Sequence, residues 1–217
     1  MNMTPTLRKL TLTTHVTVSV GWCGALAAFL AHAIASVFSQ DEQVVRAASV
    51  AMGLTAWFVI LPLSVASLTT GLVQALGSAW GLFRHYWVLF KLLLTAVATG
   101  VLLLKLGPIG RLAEAATETA YSSAGFTGLR VSILVHAIAG LLVLLAAVVL
   151  AVYKPRGMTR YGVRKALAHG GSDLQSSLPP ATSTPRWVQG VVAAIMVLII
   201  MLAFMLSGGV HGPDAHQ

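Results

Sequence analysis

The sequence predicts an all-α integral membrane protein, a four-helix transmembrane bundle plus a fifth peripheral transmembrane helix. Three observations carry that prediction. Hydrophobic residues make up 57% of the chain and charged residues 9%, against about 25% charged in ordinary soluble domains. From Ala47 to Phe83 no side chain is charged. Four further apolar stretches are each long enough for a bilayer core of about 30 Å, which takes roughly 20 helical residues. Hydrocarbon offers the backbone no water to bond, so a span must satisfy its amides internally as a helix.

The first span is expected at Leu12–Phe38. Arg8-Lys9 ahead of it and Ala33-Ile34-Ala35 near its end imitate a secretory signal and its cleavage site. The polar run Thr11, Thr13, Thr14, His15, Thr17 and Ser19 argues against that reading and for a retained span. Gly21 and Gly24 are small enough to admit a neighbouring helix closely. The second span, Ala47–Leu76, is overlong and holds Pro62 near its middle, where the missing backbone donor predicts a kink. The third is expected at Tyr86–Leu106. After it, Gly107–Arg130 reads as the longest outer loop, with helix-forming residues from Arg111 that suit a short surface helix. The fourth span is expected at Val131–Tyr153 and the fifth at Trp187–Leu206. Trp80, Trp87 and Trp187 fall near span ends, where indole favours the interface.

Composition sets the domain boundaries. Residues 1–165 are expected to form the four-helix bundle. Residues 166–185, rich in Gly, Ser, Pro and Thr, read as a flexible cytoplasmic linker, and 186–217 as the fifth helix with a short outer tail.

Orientation follows from the basic residues. With the N-terminus in the cytoplasm, the inside collects Arg8, Lys9, Arg84, Lys91, Lys154, Arg156, Arg160, Arg164, Lys165 and Arg186. The outside then holds Arg46, Lys105, Arg111 and Arg130. This bias predicts N-in and C-out. The net charge of +8 is therefore a topology signal, so the expected partners are the lipid bilayer and other membrane subunits, with no nucleic acid. The basic run from Lys154 to Lys165 reads as an ordinary positive-inside loop.

Chemistry-bearing patterns are few. No G-x-S-x-G, H-E-x-x-H or phosphate-binding glycine loop occurs. No acidic residue falls within an expected span, which leaves a carboxylate proton relay without a centre. One cysteine, Cys23, excludes an internal disulfide and reads as a packing residue. The chemical lead is four histidines in or at the ends of spans, because ionisable groups at membrane depth are costly. Counting helical rise, His15 lies about 5 Å inside the cytoplasmic end of its span and His85 opens the third span from the same side. His32 and His136 each lie roughly 9 Å from the outer boundary.

Two histidines at one depth on facing helices are what a bis-imidazole haem requires. The candidate ligands are thus His15 with His85, or His32 with His136, for haem b or copper. Arg84 and Lys91, two turns apart on one helix face, could hold propionates or anionic lipid. His15 and His32 point about 100° apart on their helix, which disfavours two stacked haems. The plainer reading is that these imidazoles bond a neighbouring carbonyl or hydroxyl. The methionines of the fifth span, Met196, Met201 and Met205, fit lipid contact better than Cu(I).

Three stretches carry a resemblance: Leu12-Thr-Thr-His-Val-Thr-Val-Ser-Val-Gly-Trp22, Trp80-Gly-Leu-Phe-Arg-His-Tyr-Trp-Val-Leu-Phe-Lys-Leu92 and Val152-Tyr-Lys-Pro-Arg-Gly-Met-Thr-Arg-Tyr-Gly162. Across about residues 7 to 165 the chain resembles a family of small bacterial multi-pass membrane proteins, a domain of unknown function. It is distantly similar to the copper-resistance D family through His15, Gly21, Trp22 and Gly24, and to small b-type membrane cytochromes through His15. The resemblance implies the bacterial cytoplasmic membrane and leaves the role unassigned. The expected function is a non-enzymatic membrane protein or accessory subunit. The alternatives are a haem b or copper protein and a small transporter, which would need a watered cavity around Pro62.

Overall fold

The structure is a computed structural model that describes residues 4–77, 85–118 and 122–153, with 159, 164, 187–190, 193 and 196. Contacts divide the chain into Met1–Pro155 and Arg156–Gln217. In the second unit, 164, 187–190, 193 and 196 are helical. The expected linker and most of the expected fifth span lie outside the described residues. All that follows concerns the first unit.

Helix α1 spans Pro5–Phe38, beginning earlier than the expected Leu12. Thr4 caps it by accepting from the Leu7 amide, and Pro5 occupies the first turn, where its missing N–H costs nothing. The polar run that follows continues the helix because Thr11 returns its hydroxyl to the Leu7 carbonyl at 3.0 Å. Ser39 and Asp41 then turn the chain, and Asp41 caps α2 (Glu42–Thr55) through the Gln43 amide at 2.8 Å.

Between α2 and α3 (Leu61–Gly77) the helix loosens into a π turn at Ala56–Ile60. The Leu61 amide reaches back to the Ala56 carbonyl, a five-residue step. Pro62 explains it, since proline has no N–H for the Phe58 carbonyl and its ring crowds that group. The distortion expected at Pro62 is therefore a π bulge just before it. α2, the π turn and α3 together make one span, Glu42–Gly77.

Helix α4 runs Tyr86–Ala115 with Pro108 inside it. The expected outer loop from Gly107 and its separate surface helix are thus corrected: the helix carries straight on. Arg111, Leu112 and Ala113 are good helix formers, and Ile109 and Leu112 are buried in the core, so tertiary packing overrides the break. A 3₁₀ turn, Ser123–Phe126, leads into α5 (Thr127–Tyr153).

Four helices, Pro5–Phe38, Glu42–Gly77, Tyr86–Ala115 and Ser123–Tyr153, are long and apolar enough to cross a membrane. α1 packs on α2, α3 and α5, while α4 packs on α2, α3 and α5. Each span therefore lies beside its neighbours in the chain, as short connections require. α1 and α4 oppose each other across the bundle axis.

The core has two chemistries. Towards the Phe38 end of α1 it is mainly apolar, with Trp22, Phe29 and Ala33 packed on Met52, Ala56, Ile60, Ile109, Leu112, Ile133 and Ala137, and with Ser36, Ser49 and Arg130 also buried. Towards the Arg8 end it is polar, with His15, Ser64, Ser67, Thr95 and Thr99 buried. The outward surface is apolar: Phe58 is 75% exposed and Leu142 61%, exposures that suit lipid and not water.

Candidate functional site

The polar end of the bundle is built from three stripes at helical spacing. α1 contributes Arg8, Thr11, His15 and Ser19. α3 contributes Ser64, Ser67, Thr70, Gly71 and Gln74, and α4 contributes Lys91, Thr95 and Thr99. Residues three and four apart share a helix face, so each stripe turns inward as a unit. Several of their hydroxyls bond their own helix, as Thr95 does to the Lys91 carbonyl at 2.7 Å and Thr99 to the Thr95 carbonyl at 2.9 Å. Others cross between helices. Ser19 meets Ser67 at 2.8 Å, and the Gln74 amide donates to the Thr11 carbonyl at 2.7 Å.

His15 stands at the centre. Its Nδ1 lies 3.0 Å from Thr70 Oγ1, and its Nε2 lies 3.2 Å from Lys91 Nζ. The direction of this chain can be worked out. The Thr70 hydroxyl donates its one proton to the Ala66 carbonyl at 2.6 Å, so towards the imidazole it can only accept. His15 therefore carries its proton on Nδ1, and its Nε2 accepts from Lys91. A single hydrogen-bond polarity thus runs from Lys91 through His15 and Thr70 to a backbone carbonyl. Gly71 makes room for the ring: a Cβ there would stand 3.0 Å from His15 Cε1.

Beside this chain lies a partly open cavity of about 500 Å³. Arg8, Thr11, His15, Ser67, Gln74, Lys91 and Thr95 supply its polar wall; Leu12, Val16, Leu68, Trp87, Val88 and Leu92 supply the apolar one. Among the described residues no carboxylate lines it. The carboxylates of the described residues sit at the other end of the bundle, where Asp41 caps α2 and Glu42 pairs with Arg46 at 3.2 Å. There Arg46 also donates to the Glu118 carbonyl at 2.7 Å.

The expected histidine pairs fare differently from their matched depths. His15 joins Lys91, on the opposed helix, and not His85. His85 is the N-cap residue of α4 and makes no side-chain cap bond, and Arg84 lies outside the described residues. The Arg84–Lys91 face is thus represented by Lys91 alone. With both its nitrogens engaged, His15 does not fit an axial haem or copper ligand.

At the other level, His136 donates Nδ1–H to the Ser132 carbonyl at 2.6 Å, leaving Nε2 buried without a partner; His32 Nδ1 is likewise buried and unpartnered. No hydrogen bond joins these two side chains. A Cβ at Gly21 would touch Leu63 of α3, and Leu26 touches the corresponding point of Gly140 on α5. At 3.6 residues per turn, His32 lies about 20° from the Gly21 direction and about 120° from that of Leu26. It thus lies on the side of α1 that carries Gly21. No cluster of three or more His, Cys, Asp or Glu side chains able to hold a metal ion occurs among the described residues.

The sequence signal for what was missed is the stripe itself. Ser64, Ser67, Thr70, Gly71 and Gln74 recur every three or four residues through an otherwise apolar span, as do Lys91, Thr95 and Thr99. The small and hydroxylated residues carry the site along with the ionisable ones. Comparison with protein-family models, curated proteins and solved structures returned no match.

Proposed function

We propose that this chain is a non-enzymatic multi-pass protein of the bacterial cytoplasmic membrane, an accessory subunit with its N-terminus inside, that binds a ligand in the Lys91–His15 cavity. The observation that carries this reading is the hydrogen-bonded chain from Lys91 through His15 to Thr70 beside an open, two-faced cavity. Such a chain orders a cation and a hydroxyl-rich wall before anything binds, which lowers the cost of binding. It gives no nucleophile paired with a base and carboxylate, so a ligand is held and not transformed. Orientation is supported by the clustering of basic residues on the Arg8 side.

Two other readings have less behind them. A haem or copper role would need imidazoles with free nitrogens on facing helices; His15 is engaged at both nitrogens, and no cluster of three or more metal-binding side chains occurs among the described residues. A transporter path at Pro62 would need that residue in the interior, and it is exposed on the outside of the bundle.

Cysteine labelling tests the proposal. Thr11 lines the cavity and its hydroxyl bonds only its own helix, so Thr11→Cys in a Cys23→Ser background changes little else. A membrane-impermeant maleimide is expected to label it in inverted vesicles and not in right-side-out ones. Labelling from the right-side-out face reverses the orientation. Labelling from neither face removes the open cavity and the proposal with it.

A further inference from the structure

We infer that the cavity binds a phosphate-bearing anion, held by Lys91 at its floor and Arg8 towards its mouth. The inference rests on the ligand-binding reading above and names the chemistry of the ligand. Lys91 gives one N–H to His15 Nε2, and an ammonium has three donors. Two remain for the cavity that Lys91 lines. Because Thr70 fixes the imidazole with its acceptor towards Lys91, the ring cannot turn a donor at the ammonium, and the Nζ position is held from behind.

Charge balance points the same way. A cation removed from bulk water is stabilised by a counter-charge. None of the described residues lining the cavity is acidic, and the described carboxylates lie at the Asp41 and Glu118 end of the bundle. Among the described residues Lys91 thus has no counter-charge in the cavity, which suits an anionic ligand. Arg8 adds a planar donor fork suited to phosphate.

The walls say more about the carrier. Leu12, Val16, Leu68 and Leu92 continue the polar floor with an apolar side, and Leu12 and Val16 are 53% and 51% exposed on the outer surface of α1. An amphiphile with its phosphate on Lys91 and a chain leaving along Val16 satisfies both walls, whereas a free phosphate satisfies only one. The two sources share the same recognition chemistry, and experiment separates them.

The test uses the full-length protein in a neutral detergent, with thermal unfolding followed as ligand is added. The ligands are phosphatidylglycerol, zwitterionic phosphatidylcholine and inorganic phosphate. Phosphatidylglycerol is expected to raise the unfolding temperature and phosphatidylcholine to do so weakly. Lys91→Gln should weaken the phosphatidylglycerol effect about tenfold or more in concentration, the worth of one charge-assisted hydrogen bond; Lys91→Arg should keep most of it.

Arg8→Gln, at the exposed start of α1, is a second variant that leaves the core untouched, and it too should weaken the effect. Protection by inorganic phosphate alone, lost in Lys91→Gln, would support the phosphate and assign a soluble carrier. Equal protection of wild type, Lys91→Gln and Arg8→Gln, or none from either phosphate source, would overturn the inference. If Thr11→Cys is still labelled from the inside in that case, the cavity reading survives and only the ligand class fails. An unlabelled Thr11→Cys overturns both.

Discussion

Gly71 and Gly24 separate two roles for a small residue in a membrane helix. A Cβ on Gly71 would meet His15 Cε1 at 3.0 Å, whereas nothing stands within 4 Å of the same point on Gly24. The His15 ring is tethered at both nitrogens, so it cannot yield without stretching a hydrogen bond. Gly71→Ala should therefore destabilise the protein by about 1–2 kcal/mol despite alanine's better helix propensity, and should also weaken phosphatidylglycerol protection. Gly24→Ala should stabilise it by up to about 1 kcal/mol. Thermal unfolding of the two variants side by side checks the contrast, and opposite signs are the outcome that matters.

Arg130 shows a different use of charge. Its guanidinium donates to the Ser36 carbonyl of α1 and, at 2.7 Å, to the Ser123 carbonyl. A cation at the last turn of α1 suits the helix dipole and occupies carbonyls that the helix itself cannot. Arg130 is only 7% exposed, so these are desolvated bonds. Arg130→Ala is expected to cost roughly 3 kcal/mol, and Arg130→Lys nearly as much because an ammonium cannot span both carbonyls. If the lysine variant unfolds at the wild-type temperature, the fork is not what holds the turn.

At the scale of the element, the π turn at Ala56–Ile60 is the feature with the clearest consequence. A π bulge holds one residue more than the α-helix it interrupts. Removing one residue there restores α geometry and keeps α2 and α3 facing the same neighbours. Val59, 42% exposed and outward, is the natural choice. Deletion of Val59 combined with Pro62→Ala, which removes the cause of the bulge, should leave a folded protein of near wild-type yield. Deletion of Leu103 from the regular helix α4 rotates everything beyond it by about 100° and should abolish folding. Equal failure of both would show that the bulge is held by its surroundings and is not a spare residue.

Helix α4 carries the opposite lesson. Pro108 removes one backbone donor, yet the helix passes through it to Ala115. Leu106, Ile109 and Leu112 on its inner face are buried against the core. Close packing of these side chains on the neighbouring helices offsets the backbone bond that the proline removes.

The four-helix unit joins a mainly apolar core to a cluster of buried hydroxyls around His15 and Lys91. α1 has 34 residues, about 51 Å of helix, against about 30 Å of hydrocarbon. Its polar start therefore reaches the headgroup level, where the Thr and Ser that looked unusual for a span find both water and neighbouring helices. The Thr11→Cys and Lys91→Gln experiments belong to this scale, since both ask whether that cluster opens to the Arg8 side.

Much of this architecture was readable in the chain. Long uncharged stretches leave no alternative to membrane helices, because only a helix satisfies its backbone in hydrocarbon. Proline at 62 announced a distortion for the same local reason. The special standing of His15 and Lys91 was also visible, since ionisable groups at depth are rare. Their pairing was not. Depth can be counted from sequence, but which way a side chain faces depends on how four helices rotate against one another, and small contacts decide that. Gly71 admits the His15 ring, and Gly53 brings α2 so close to α4 that a Cβ would fall 2.6 Å from that of Ala113. Leu26 seats on Gly140 and so sets the rotation of α1 against α5. Sequence determined the number and apolar chemistry of the described spans, because those follow from solvation of each segment alone, whereas the run of α4 past Pro108 to Ala115 came from packing. Only the tertiary structure decided that His15 meets Lys91 and Thr70, because that contact is set by packing between segments far apart in the chain.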